Sequence, residues 1–195
     1  MLGCTLEEAK VIVDAYWDAV PALRKLRDAV KAIWKKRGGT FVVGVDGRLI
    51  RTRSEHSLLN ALFQSGGVIC AKYTTVYLYE EMESKGYRCN PFEDSEIDMS
   101  SMIEYHDEAQ LAVAKNLIEF KVFDTEDEVK DFKENWTGSN LGGEVELQNG
   151  KFAIALPNIV SQAIEKSVAR AVETVGLKVP LGIAWVVGKN WYNCH

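Results

Sequence analysis

From Met102 to Val113 the chain reads as two short strands folded back on each other. Met102, Ile103 and Tyr105 lead into a polar bend, and Ala109, Leu111 and Val113 lead out of it. This period of two predicts a hairpin with one buried face. His106, Asp107 and Glu108 fall at the bend. A carboxylate at such a tip can hold a metal ion, and Asp also favours bends for conformational reasons alone. The hairpin by itself is compatible with either reading.

The 195 residues suffice for one core, or for one core with an appended lobe. A hydrophobic content of 47% beside 26% charged residues is ordinary for a globular protein and argues against disorder. Cys4, Cys70, Cys89 and Cys194 are scattered, with no C-x-x-C pair and no accompanying His cluster. Neither a zinc site nor a disulfide framework is indicated, and a reducing cytoplasm is the expected compartment. No apolar run approaches the roughly 20 residues that span a bilayer, and no basic-then-apolar leader opens the chain.

The net charge of -5 argues superficially against a nucleic-acid partner, but the charges are segregated. Arg24 to Arg53 holds ten Lys or Arg against the acids Asp28 and Asp46, whereas Pro91 to Glu146 holds sixteen acids against four lysines. Such asymmetry suggests a polyanion-facing surface in the first third and solvated or metal-facing carboxylates in the middle. A solvated cationic helix face would give the same basic run.

Thr5-Leu6-Glu7-Glu8 has the form of a capping box, so a helix is expected to start at Leu6 and to end or kink at Pro21. A second helix follows to about Lys36, with Leu23, Leu26, Val30, Ile33 and Trp34 on one side, and Gly38-Gly39 stops it. Asp46-Gly47 predicts a two-residue hairpin turn between Thr40–Val45 and Arg48–Thr52. Ser54 is positioned to cap a long third helix reaching about Lys85, with Leu58, Leu62, Ile69, Tyr73 and Val76 on its apolar side. On the other side His56, Asn60 and Gln64 recur every four residues, stacking neutral hydrogen-bonding groups in one stripe. Gly66 and Gly67 in mid-helix each cost on the order of 1 kcal/mol relative to Ala, which suggests a close approach to the backbone there.

Beyond the hairpin, Lys115 to about Pro157 reads as an inserted acidic lobe, with a helix from Thr125 to about Trp136 and a small hairpin at Asn149-Gly150. A helix from Asn158 to Val175, with Val160, Ile164, Val168, Ala171 and Val175 on one face, and a strand from Val179 to Val187 complete the chain. The expected fold class is mixed α+β, a short antiparallel sheet backed by the long and terminal helices. The expected divisions are 1–38, 39–114, 115–157 and 158–195.

The run Asp46 to Gly67, DGRLIRTRSEHSLLNALFQSGG, resembles the end of the fingers and re-entry into the palm of family A DNA polymerases, especially the bacteriophage type. Tyr105-His106-Asp107-Glu108 looks like motif C of that family, and Gly188 to His195 is similar to its C-terminus. Gly3 to Asp18 resembles the stretch after the nucleotide-binding helix of the fingers. The segment Lys115 to Glu144 matches weakly.

That resemblance implies that Asp107 is one of two aspartates holding two divalent ions, usually Mg2+, in nucleotidyl transfer. It implies that Glu108 is the adjacent tuning carboxylate and that His106 lies near the primer end. It also implies that Asn60 and Gln64 contact the minor groove of DNA and that Arg51 and Arg53 contact phosphates. His56 fits the phage pattern at that helix. The first catalytic aspartate, and the Lys and Tyr that bind the triphosphate, belong to motifs A and B, which no segment here matches. The expectation is therefore a C-terminal polymerase portion acting on primer-template DNA and dNTP, inactive alone and completed by an N-terminal polymerase fragment, with a possible processivity factor. The competing expectation is a non-catalytic palm remnant that binds DNA or a replication partner. If phage-encoded, it would work in the host bacterial cytoplasm. Without its partner it is expected to expose apolar surface beside the palm sheet.

Overall fold

The computed structural model describes residues 5–105, 108–147 and 149–194, and of Trp191 and Tyr192 only the backbone. The architecture is mixed α+β, with helices and small antiparallel sheets alternating along the chain. It divides into two compact units, Met1–Ile69 and Cys70–His195. Among the described residues no helix is long and apolar enough to cross a membrane.

In the first unit, helix α1 (Leu6–Ala19) opens on the expected box: Glu8 N–H donates to Thr5 Oγ1 at 3.3 Å, and Thr5 N–H donates to Glu8 Oε2 at 2.7 Å. Pro21 begins α2 (Pro21–Lys36), because its fixed φ suits a first helical turn whose N–H groups have no partner. Gly38 and Gly39 then take φ of +79° and +70°, which only glycine adopts cheaply, and the helix stops. Strands β1 (Phe41–Val43) and β2 (Leu49–Arg51) pair antiparallel, with Val42 opposite Ile50.

Their connection departs from the expected two-residue turn. Gly47 N–H donates to Gly44 C=O at 3.0 Å and Gly44 N–H to Arg48 C=O at 2.8 Å, so the turn spans Gly44 to Gly47. Gly47, at φ +82°, is the left-handed residue that lets the longer loop rejoin the ladder. Space at Gly44 is tight: a Cβ there would lie 3.1 Å from Ile50 Cδ1 and 3.2 Å from Ser65 Oγ, so those side chains would have to give by a few tenths of an ångström.

Ser54 makes no capping bond; a 3-10 turn at Glu55–Ser57 intervenes, and α3 runs Leu58–Ser84. Leu58 and Ile69 are buried as expected, but Val76 is 52% exposed. The division between the units falls within α3.

In the second unit, β3 (Met99–Tyr105) and β4 (Glu108–Val113) form an antiparallel pair. A second sheet has the order β5-β7-β6, from Phe120–Phe123, Phe152–Ala155 and Glu144–Glu146. Its hairpin turns at Asn149-Gly150, where Leu147 N–H reaches Lys151 C=O at 2.7 Å. The acidic helix α4 (Glu126–Asn135) covers this sheet through Val129, packed with Phe123 and Ile154. Helix α5 (Ile159–Val175) is capped by Asn158 Oδ1, which accepts from Val160 and Ser161 N–H at 3.0 Å each, and it ends at left-handed Gly176.

Leu78 and Met82 of α3, Cys89, Met99 of β3, and Val160 and Ala163 of α5 make the core that seats the hairpin. Burying a side chain such as Met82 or Met99 contributes about 1.5–3 kcal/mol. The expected final strand from Val179 to Val187 is absent among the described residues. Gly143 N–H donates to Trp185 C=O at 2.7 Å, but no ladder forms around that bond.

Candidate functional site

Two groups of residues carry the candidate chemistry, one in each unit. In the second unit, the base of the β3–β4 hairpin pairs Met99 with Val113 and Ser101 with Leu111, whereas its end pairs Glu104 with Ala109 and Tyr105 with Glu108. The register shifts between Ser101 and Ile103, leaving Met102 as the extra residue of a bulge. One buried face along the whole hairpin was the expectation from periodicity. The bulge overturns it: Met99 and Ser100 at the base are buried, while Met102 is 67% and Tyr105 64% exposed.

The bulge separates two acids. Glu104 shares a face with Ala109, and Glu108 shares the opposite face with Tyr105. Glu108 Oε1 accepts from Gln110 Nε2 at 2.9 Å, which orients the carboxylate along its own strand. His106 and Asp107 lie outside the described residues. Among the described residues no three His, Cys, Asp or Glu side chains come together as a metal-binding group. Beside the hairpin base, a hollow of about 300 Å³ opens between Pro91, Ile97, Ser100, Met102 and Ala112, an apolar lining without ionisable groups.

In the first unit, Arg51 ends β2 and is exposed, as is Arg53 two residues on. His56 lies in the 3-10 turn, and Asn60 and Gln64 sit on the first two turns of α3; all three are exposed. Because His56 belongs to the tighter turn, the regular α-helical stripe consists of Asn60 and Gln64. A Cβ at Gly67 would meet nothing within 4 Å, and one at Gly66 only Val45 Cγ1 at 3.9 Å. Packing among the described residues therefore does not demand these two glycines.

Glu55 was not singled out by sequence reasoning, yet it organises this region. Its carboxylate accepts from Lys31 Nζ and, at 3.1 Å, from Lys35 Nζ, tying α2 to the turn that presents His56. Those two lysines hold the Glu55 carboxyl below its ordinary value. The available signal was an acid following three cations in the most basic part of the chain. Other cations there are also engaged: Arg24 pairs with Asp18, and Arg27 pairs with Asp28 while lying 4.2 Å from the Trp17 ring centre. For Arg51 and Arg53 no acidic partner occurs among the described residues.

No protein-family model matches the chain. Individual proteins do. The DNA-directed DNA polymerase of Enterobacteria phage T3 is 27% identical over 139 residues, covering 61% of this chain and 19% of the relative. That of Escherichia phage T7 is 25% identical over 155 residues, covering 72% and 20%. The DNA-directed DNA polymerase of Escherichia phage Phieco32 is 27% identical over 123 residues, covering 60% and 18%. The chain is related in sequence to phage DNA-directed DNA polymerases. It spans about a fifth of the length of these relatives.

Proposed function

We propose that this chain is the C-terminal palm-bearing part of a family A, phage-type DNA polymerase and contributes to templated nucleotidyl transfer. The observation that carries this reading is the sequence relationship to three phage DNA-directed DNA polymerases over 60–72% of the chain. The order of its own segments supports it: exposed Arg51, Arg53, Asn60 and Gln64, then the β3–β4 pair, between which the sequence carries His106 and Asp107, then the terminal helix.

Asp107 and Glu108 are hard oxygen donors, the kind that Mg2+ prefers. Mg2+ is commonly held by one or two carboxylates, with water and substrate phosphates filling its octahedron. Glu108, exposed at the start of β4, fits that role. Bound divalent ions would activate the primer 3' hydroxyl and neutralise the leaving pyrophosphate. Within this scheme Asp107 is the principal ligand, Glu108 adjusts the field beside it, and His106 lies against the primer end. Arg51 and Arg53 hold backbone phosphates. Asn60 and Gln64 donate to the purine N3 and pyrimidine O2 acceptors that recur in the minor groove, checking pair geometry without reading sequence.

The second catalytic aspartate and the triphosphate-binding residues come, in this proposal, from the part of such an enzyme that lies outside these 195 residues. The test is primer extension. The chain alone should extend nothing; mixed with the polypeptide that supplies the rest of the enzyme, it should extend a primer in Mg2+, and Asp107→Ala should abolish the product. Extension that survives Asp107→Ala removes the hairpin from the mechanism. DNA binding without extension in the mixture would favour the non-catalytic palm remnant.

A further inference from the structure

The register of the β3–β4 hairpin runs against its hydrophobic pattern. A regular ladder continued from the Ser101–Leu111 pair would put Ile103 and Tyr105 on the same face as Met99, Leu111 and Val113, toward the core. The bulge at Met102 instead turns Ile103 and Tyr105 to the outer face with Glu108 and Gln110. Something other than apolar periodicity therefore holds the extra residue at Met102.

Two interactions bracket it. Toward the tip, a ladder that stayed regular through Glu104 would set Glu104 directly across from Glu108, and like charges in a cross-strand pair repel, so the extra residue has to fall before or at Glu104. Toward the base, Ser101 N–H points away from β4 and donates to the Tyr79 hydroxyl of α3 at 2.7 Å. Tyr79 is itself half-buried against the core that contains Met82 and Met99, so its hydroxyl is a fixed point. Moving the bulge one residue toward the base would make Ser101 itself the extra residue, and moving it two would pair Ser101 with Ala112; either changes the setting of its N–H and breaks this bond.

We infer that the Tyr79 hydroxyl pins the bulge at Met102 and thereby sets the face on which the hairpin presents Tyr105 and Glu108. Tyr79 is on this account a positioning residue for the tip carboxylates. That link to catalysis rests on the polymerase reading, whereas the link to register stands on the hydrogen bond and the pairing alone.

The experiment is amide exchange, cross-strand NOE measurement and Mn2+ titration on the 195-residue chain and on Tyr79→Phe. In wild type the Ser101 amide should be protected although it lies outside the ladder. An unprotected Ser101 amide there would overturn the pin without any variant being needed. In Tyr79→Phe, losing this one hydrogen bond should speed Ser101 exchange by about tenfold or more. The Tyr105–Glu108 NOE should also weaken, and the Mn2+ concentration that broadens the Glu108 amide should rise several-fold. A folded Tyr79→Phe chain with unchanged NOEs and an unchanged Mn2+ response would refute the inference, since a merely structural hydroxyl would lower only the unfolding midpoint. If the register shifts while Mn2+ broadens neither chain at the tip, the pin stands and the metal-site reading fails.

Discussion

The indole N–H of Trp34 donates to the Thr52 hydroxyl at 2.7 Å, joining α2 to the residue that follows β2. Thr52 is only 6% exposed, and its backbone N–H is held by Thr40 C=O at 3.0 Å. Removing the indole donor leaves a buried hydroxyl with a long 3.5 Å contact to Thr40 C=O. Trp34→Phe should therefore lower unfolding stability by about 1–3 kcal/mol, the range for stranding a buried polar group. Thr52→Val should cost less, because the half-buried indole N–H can turn to water and the methyl fills the same space. Urea denaturation of both variants and of the double mutant measures the difference, and a double-mutant loss equal to the sum of the two single losses would show that the bond contributes nothing beyond packing.

Much of the fold was legible where the deciding interaction is local. The Thr5–Glu8 box, Pro21 and the Gly38-Gly39 stop act within a few residues, and each stands where the sequence placed it. What the sequence did not disclose depends on distant partners. Beside the bulge at Met102, Ser101 bonds Tyr79, 22 residues away, and the exposure of Val76 reflects what packs on α3 rather than the helix's own periodicity. Val179–Val187 has strand composition, but among the described residues its backbone is met by Gly143 at Trp185 and joins no ladder. The same division holds for the candidate site. The exposure of Asn60 and Gln64 follows from their place away from the buried Leu58 and Ile69 on α3, and that of Arg51 and Arg53 from their alternation with buried Thr52, whereas the faces of Glu104 and Glu108 depend on the bulge.

Arg88 and Asp98 close the loop that leads into β3. Arg88 Nε and Nη2 each donate to an Asp98 carboxylate oxygen at 3.1 Å, and Arg88 N–H donates to Oδ2 at 2.9 Å. The guanidinium and then this backbone N–H hold the Asp98 carboxyl below its ordinary value. A carboxyl whose pKa is depressed in the folded state stabilises the protein above its unfolded value of about 4 and loses that contribution as pH falls through the lowered one. Asp98→Asn should flatten this acid limb of the stability profile while leaving the slope above pH about 5 unchanged. Urea midpoints across the acid range provide the check; an acid limb as steep in Asp98→Asn as in wild type would contradict it.

Cys89 is 1% exposed, and its thiol is pushed up to about 11 by burial, with the nearby charges of Glu83, Asp98 and Asp94 adding to it. Burial also raises the Cys70 thiol. Thiolate is the species that alkylates, so both should resist iodoacetamide at pH about 8. Half-buried Cys194 should be modified first among these three. Labelling of Cys89 and Cys70 should instead follow unfolding, rising with urea. Mass spectrometry of time points resolves the three sites, and rapid Cys89 modification in the native chain would mean that the α3–α5 core opens locally.

Arg51 and Arg53 project from the end of β2 without an acid partner among the described residues, while Asn60 and Gln64 stand exposed on the following helix. If the first unit holds duplex DNA, the two kinds of residue should differ in how salt affects their loss. Each phosphate-neutralising cation releases counterions, so Arg51→Ala and Arg53→Ala should each reduce the slope of log affinity against log salt by about 0.9. Asn60→Ala and Gln64→Ala remove neutral donors. They should weaken binding with the slope unchanged, and without preference for sequence, because minor-groove acceptors recur at every pair. Glu55→Gln frees Lys31 and Lys35 from their shared acid and should tighten binding at low salt while steepening the slope. Fluorescence anisotropy with one duplex at several salt concentrations separates these outcomes. Arginine variants that leave the slope intact would move the phosphate contacts off β2 and onto the lysines of α2.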